Sequence, residues 1–257
     1  MGACSPQLKT TLRLDALLVE RGLAASRERA RALILAGQVR VNGQPLTKAG
    51  APVRPDAEVT LLVADHPYVG RGGLKLEHAL RTFNVSAAGR LALDIGASTG
   101  GFTDVMLKQG ATRVVALDVG HGQLDWTLRT DPRVIVLERV NARTLTPEQL
   151  PPDARTFDLV TIDVSFISLR QVLPVVPPLL APHADVIALV KPQFEAGRHE
   201  VGKRGIVRDA SVQARVVDDV IDAALALGLS RAGVSESPIT GMEGNREYLL
   251  HLIRSDA

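Results

Sequence analysis

Apolar positions in the chain fall into two regimes. Leu14, Leu17 and Leu18, and after Gly22 Ala30, Leu33 and Ile34, recur at helical spacing and predict two short helices. Ser26 is placed to cap the second helix at its start and Gly37 to close it. Residues 39–41 then alternate as a strand, Asn42-Gly43 is a two-residue hairpin signal, and residues 59–63 form another strand. The resulting α+β unit, of about 50 residues, is small for an independent core.

Residues 65–73 carry Pro67, Gly70, Gly72 and Gly73 and read as a linker, with a helix starting near Leu74. From Leu91 the regime changes. Apolar runs at 91–95, 113–118, 134–137, 159–163, 186–190, 233–237 and 248–253 alternate with stretches of helical period such as 212–226. Strands alternating with helices predict an α/β, doubly wound, mostly parallel sheet covered on both faces. The expected domains are 12–64 and 74–254, with no internal repeat.

Composition narrows the reading. Hydrophobic residues are 46% and charged residues 23%, as in ordinary globular chains. Aromatic residues are only 3%, which removes a row of stacking platforms as the means of holding RNA. The single cysteine, Cys4, allows no intrachain disulfide, and no Cys/His metal cluster is visible. Residues 1–11 are polar and read as no signal peptide. The most apolar stretch, 172–190, is broken by Pro174, Pro177, Pro178, Pro182, His183 and Asp185, so no membrane span is expected. These features together fit a cytoplasmic protein.

The net charge of +2 is unevenly spread: from Arg13 to Arg54 eight basic residues face three acids, about +5, leaving about −3 for the rest. This first stretch resembles the RNA-binding domain first seen in ribosomal protein S-four. The resemblance rests on Arg13-Leu14-Asp15, Gly22-Leu23, Ser26-Arg27, Ala30, Ile34, Gly37, Val39-Arg40-Val41-Asn42-Gly43 and Asp56. Arginines in the first half of a helix, beside its free N–H groups, make a phosphate-binding face. Arg13, Arg27, Arg29, Arg31 and Arg40, with Arg71 in the linker, are the expected RNA contacts.

In the second part the first strand ends in Asp94-Ile95-Gly96-Ala97-Ser98-Thr99-Gly100-Gly101-Phe102-Thr103. A glycine turn there is where doubly wound folds bind nucleotide-like ligands, and the spacing is not the GxGxxG of dinucleotide sites. Asp118 ends the next strand, where a carboxylate can reach ribose hydroxyls. Together they resemble the cofactor site of class I (Rossmann-like) methyltransferases. That resemblance implies S-adenosylmethionine, held by Asp94, Gly96, Ala97, Ser98, Thr99, Gly100, Gly101, Phe102, Asp118, Val119, Asn141 and Asp163. Asp94 and the glycine loop would face its methionine end, Asp118 the ribose and Asn141 the adenine.

Asp163 ends one central apolar strand and Lys191 directly follows another, at the edge where ligands bind. Lys75, Asp163, Lys191 and Glu247 resemble the Lys-Asp-Lys-Glu tetrad of the FtsJ-like ribose 2′-O-methyltransferases. Gly72-Gly73-Leu74-Lys75-Leu76 and Gly244-Asn245-Arg246-Glu247-Tyr248 stand where that group has its first lysine and its late acid, and Glu243 lies outside the matching motif. Adding Asp118-Val119-Gly120, Gly122-Gln123-Leu124, Ser165-Phe166-Ile167-Ser168-Leu169 and Lys191-Pro192-Gln193-Phe194-Glu195, nearly the whole chain is similar to the TlyA family, whose members often carry the name haemolysin.

The chemistry is coherent. A ribose 2′-hydroxyl is a poor nucleophile, and a neutral lysine can remove its proton. Burial and a second nearby ammonium both favour the neutral form of an amine. Lys191 is the expected base, Lys75 would position ribose or phosphate, Asp163 would orient Lys191, and Glu247 would support the pair. The resemblance implies a cytidine of ribosomal RNA. The chain stops soon after Ile253-Arg254, as in the shorter members of the family, which implies 23S RNA in the 50S subunit. A base methyltransferase has no need of two lysines. A non-catalytic assembly factor would not keep all four tetrad positions. A pore-forming haemolysin would need a membrane segment that the sequence lacks.

Overall fold

The computed structural model describes residues 11–24, 26–35, 37–62, 66–241 and 244–254. Cys4, Val63, Asp65 and Glu243, named above, lie outside them. The chain forms two compact units, residues 1–67 and 68–257.

The first unit runs β1 (Leu12–Arg13), α1 (Leu14–Glu20), α2 (Arg27–Leu35), β2 (Val39–Val41), β3 (Gln44–Pro45), β4 (Pro52–Val53) and β5 (Val59–Leu61). The signals read from the sequence act locally. Ser26 Oγ accepts the Arg29 N–H at 3.1 Å, and Gly37 closes α2 at φ +69° with its N–H on Ile34 O. Asn42 and Gly43, at φ +49° and +76°, make the tight turn that joins β2 to β3. The helical stripe Leu14, Leu17, Leu18, Ala30, Leu33 and Ile34 packs on Val39, Val53 and Val59.

Asp15 lies against this core, fully buried. Its carboxylate accepts from Arg13 (2.8 Å), Arg31 (3.2 Å) and Arg27 (3.3 Å), whose side chains remain half-exposed. Hydrogen bonds from Arg13, then from Arg31 and Arg27, hold the carboxyl well below the usual carboxylate range against the opposing effect of burial. One buried anion thus gathers three guanidinium groups onto one face.

The second unit contains α3 (Gly72–Thr82), β6 (Leu91–Ile95), α4 (Gly101–Lys108), β7 (Arg113–Asp118), α5 (Trp126–Arg129), β8 (Val134–Glu138), β9 (Phe157–Ile162), β10 (Leu180–Val190), α6 (Pro192–Glu195), α7 (Ala210–Leu225), β11 (Leu229–Glu236) and β12 (Tyr248–Arg254). The sheet order is β11-β12-β10-β9-β6-β7-β8. The five strands from β10 to β8 are parallel, and β12 and β11 add an antiparallel edge. Side-chain alternation divides the core: Leu93, Ile95, Val115, Leu117, Val160 and Ile162 face one layer, and Ala92, Val114, Ala116, Leu159, Ile187 and Leu189 the other. This is the α/β, Rossmann-like architecture expected.

Two local differences have physical causes. After β9 there is no full helix, only three 3-10 turns over Leu169–Gln171, Leu173–Val175 and Pro177–Leu179. Pro174, Pro177 and Pro178 lack the N–H that an α-helix would use. β10 begins at Leu180 rather than near residue 186, its pairing with β9 interrupted between Leu180 and Asp185, where His183 sits at φ +59°.

Replacing Asp15 by Ala removes the shared acceptor, and the first unit should lose about 1–3 kcal/mol at pH 7. The depressed carboxyl contributes stability above its unfolded value of about 3.9, and that contribution is lost as pH falls. Urea melts read by hydrogen exchange at Leu17 and Leu18 should therefore show a gap between variant and wild type that narrows below about pH 4.

Candidate methyl-transfer site

The sheet reverses its winding between β6 and β9, and ligands of such folds bind outside the carboxyl ends of the strands at that point. Asp94 and Ile95 end β6, Asp118 ends β7, Asp163 follows β9 and Lys191 follows β10. Two adjoining cavities open there. One, of about 320 Å³, is lined by Arg71, Gly72, Lys75, Gly96, Ala97, Ser98, Thr99, Gly101, Phe102, Asp163, Ser165, Lys191 and Ile239. The other, of about 470 Å³, is lined by Gly96, Ser98, Leu117, Asp118, Val119, Gln123, Val140, Asn141, Ala142, Arg143, Asp163, Val164, Ser165, Phe166 and Ile167.

The glycine loop is shaped by close backbone approach. Gly96 sits at φ +87°, and a Cβ there would lie 2.5 Å from the carbonyl oxygen of Asp163. Ser98 also takes a positive φ, +48°, and its N–H meets Asp118 Oδ2 at 2.8 Å while Gly120 N–H meets Oδ1 at 2.7 Å. The Asp118 carboxylate is therefore fixed by two backbone amides, and its remaining lone pairs are available to a ligand. The expected loop positions divide. Gly96, Ala97, Ser98, Thr99, Gly101 and Phe102 line the first cavity, and Asp118, Val119 and Asn141 the second. Gly100 lines neither. At φ +96° it turns toward the core, where a Cβ would meet Leu124 and Leu128.

Asp94 corrects the sequence expectation. It does not face the cavities; it is fully buried behind the loop. Its oxygens accept from Thr103 Oγ1 at 2.6 Å, in the first turn of α4, and from Thr161 Oγ1 at 2.9 Å, its register partner on β9. Burial pushes this carboxyl up to about 6, against the two hydroxyl hydrogen bonds. It ties β6, β9 and α4 together beneath the glycine turn. Neither threonine was singled out by sequence reasoning, because nothing in the spacing links positions 94, 103 and 161.

The four tetrad positions are brought together as two ion pairs. Lys75 pairs with Glu247, and Lys191 Nζ lies 2.6 Å from Asp163 Oδ1. Both lysines and Glu247 are buried. Lys75, Asp163 and Lys191 line the first cavity, with Glu247 behind Lys75. Gly241 makes this possible, since a Cβ there would strike the Glu247 carboxylate. Ser165 Oγ, unassigned by the sequence analysis, lies 2.9 Å from Lys191 Nζ.

The expected RNA contacts are spread over both units. Arg13, Arg27 and Arg31 converge on Asp15, Arg29 lies beside His66, Arg40 donates to Gly43 O, and Arg71 lines the first cavity. Among the described residues no helix is long and apolar enough to cross a membrane, and no cluster of His, Cys, Asp and Glu could hold a metal ion.

Comparison with known proteins agrees with this geometry. Residues 68–254 match the FtsJ-like methyltransferase family and residues 12–59 the S4 domain. The chain is 50% identical over 241 residues to the 16S/23S rRNA (cytidine-2′-O)-methyltransferase TlyA of Mycobacterium tuberculosis, covering 93% of this chain and 89% of that one. It is 40% identical over 242 residues to hemolysin A of Brachyspira hyodysenteriae, covering 94% and 100%. A solved structure of a hemolysin candidate from Streptococcus thermophilus superposes with a TM-score of 0.76 at 44% identity, covering 97% of this chain and 90% of that one. With an S4 domain followed by an FtsJ-like methyltransferase, and with such relatives along nearly its whole length, the chain belongs to the TlyA family.

Proposed function

We propose that this protein transfers a methyl group from S-adenosylmethionine to the ribose 2′-hydroxyl of a cytidine in ribosomal RNA. The observation that carries the reading is the buried lysine pair, each lysine with its own acid, on the rim of a cavity shared with the glycine loop. The name of the mycobacterial relative supplies the nucleotide and covers both 16S and 23S RNA. Of the two subunits, the 50S is the first to test. A ribosomal substrate places the work in the cytoplasm.

The residues present fit the cofactor. No side chain is tolerated at Gly96, where the backbones of the β6 and β9 ends meet, and Asp118 stands at a strand end with lone pairs to spare. When bound, S-adenosylmethionine supplies an electrophilic methyl on sulfur. Gly96 to Thr99 and Gly101 would admit its methionine end, Asp118 would hold the ribose, and Asn141 with Val119 would flank the adenine. Asp94 acts from behind by fixing Thr103 and Thr161. Lys191 takes the proton of the 2′-hydroxyl, and Asp163 fixes the lysine by charge. Lys75 positions ribose or phosphate, supported by Glu247. The arginines around Asp15, with Arg29, Arg40 and Arg71, would meet RNA phosphates. Orientation of both reactants at near-attack distance supplies much of the remaining rate.

Lys191→Ala should lower kcat on ribosomal RNA by about a hundredfold or more while cofactor affinity stays within a few-fold. A near wild-type rate would remove Lys191 from the role of base. Asp94 gives a second prediction. Its folded value of about 6 lies above the unfolded value, so it is ionised and accepts both hydroxyls above pH 6, and it carries a proton below. S-adenosylmethionine affinity, measured by calorimetry, should weaken as pH falls through about 6, and Asp94→Asn should flatten that dependence.

A further inference from the structure

The acid is not the group that takes an aligned hydrogen bond from Lys191. Asp163 Oδ1 is at ion-pair distance, 2.6 Å, yet off the direction of a hydrogen bond. Ser165 Oγ, at 2.9 Å, does meet hydrogen-bond geometry. Ser165 is exposed and lines both cavities, so its hydroxyl stands where the two open into each other, beside the expected base.

The loop that carries Ser165 is built to hold this position. The next residue, Phe166, takes φ +64°, a costly conformation for a bulky side chain that neighbouring contacts must offset. Those contacts come from α6, the helix that starts directly after Lys191. The buried Glu195 carboxylate accepts from Ser168 Oγ at 2.5 Å and from Leu169 N–H at 2.6 Å. The Phe166 ring rests 5.2 Å from that of Phe194. Loop and lysine are thus fixed to each other at two levels.

A neutral amine has two N–H groups and one lone pair. Ser165 Oγ takes one of these N–H groups, and Asp163 Oδ1 stands at 2.6 Å outside hydrogen-bond alignment, so the direction of the lone pair is set by the bond to Ser165. We propose, resting on the function above, that Ser165 is a positioning residue: it takes one N–H of Lys191 and so aims the lone pair at the 2′-hydroxyl. As the 2′-oxygen bonds to the methyl carbon and the methyl–sulfur bond breaks, the 2′-proton moves to Nζ, and the ammonium keeps its hydrogen bond to Ser165 beside the Asp163 carboxylate. Without Ser165 the pair with Asp163 survives, but the amine can turn about its last bond.

The test uses the full chain with purified ribosomal subunits. Ser165→Ala should lower kcat roughly tenfold to a hundredfold, with cofactor Kd and RNA KM within about threefold of wild type. Ser165→Thr, which keeps the hydroxyl, should recover most of the rate. A Ser165→Ala kcat within twofold of wild type would overturn the proposal. So would a loss confined to Kd or KM, or a Thr variant as slow as the Ala variant with cofactor binding intact. A wild-type protein that binds cofactor but leaves ribosomal RNA unmethylated would instead sink the functional reading. The Lys191–Ser165 bond is then read directly: the 15Nζ shift of Lys191 should move in Ser165→Ala, and an unmoved shift would refute the contact.

Discussion

Buried charge is tolerated only where a partner repays its desolvation, and the crest of this sheet carries two such pairs side by side. Lys191 with Asp163 and Lys75 with Glu247 converge on one edge because parallel strands all end there. Removing either partner of a buried pair strands an uncompensated charge, at a cost of about 3–5 kcal/mol. Much of the surrounding sequence serves this arrangement. Gly241 leaves room for Glu247, Gly96 lets the β6 turn press against Asp163, and Glu195 pins the loop after Asp163 to the helix after Lys191.

The same logic recurs at Asp15 and Asp94 with different consequences. Asp15 is surrounded by guanidinium groups and stays ionised, so it can organise a cationic face without neutralising it: three cations share one anion. Asp94 is buried with only neutral hydroxyls, so its charged form is disfavoured and its carboxyl rises to about 6. Two acids in one chain are shifted in opposite directions, Asp15 down by its guanidinium partners and Asp94 up by burial that its hydroxyl partners only partly offset. One gathers three guanidinium groups on a face of the first unit, and the other braces the glycine loop from behind.

Much of this was legible in the sequence, for identifiable reasons. Strands buried on both faces read as apolar runs, which located β6 through β9 and β12 closely, while for β10 only its buried second half, from Val186, was legible. Ser26, Gly37 and Asn42-Gly43 announced themselves through local capping and turn chemistry. The tetrad was legible through resemblance, since Lys75, Asp163, Lys191 and Glu247 lie far apart in the chain and only the fold joins them. What stayed hidden depends on tertiary register. Asp94 looked like a ligand contact because it begins the glycine motif, but strand pairing places Thr161 opposite it and α4 brings Thr103 over it. Ser165 stood in a quoted motif without a role, because its meaning depends on a lysine 26 residues away. The proline-broken stretch after β9 kept its core-facing leucines and valines but lost its helix to 3-10 turns.

The central claim is that this site methylates a ribose within a ribosomal subunit. The most direct test incubates the purified protein and methyl-labelled S-adenosylmethionine with separated 30S and 50S particles from a strain lacking the enzyme, then hydrolyses the RNA in alkali. The account predicts label in a dinucleotide that resists hydrolysis, because a methylated 2′-oxygen can no longer attack the adjacent phosphate. Label released entirely as mononucleotides, or no label in either particle by a protein that binds the cofactor, would contradict it.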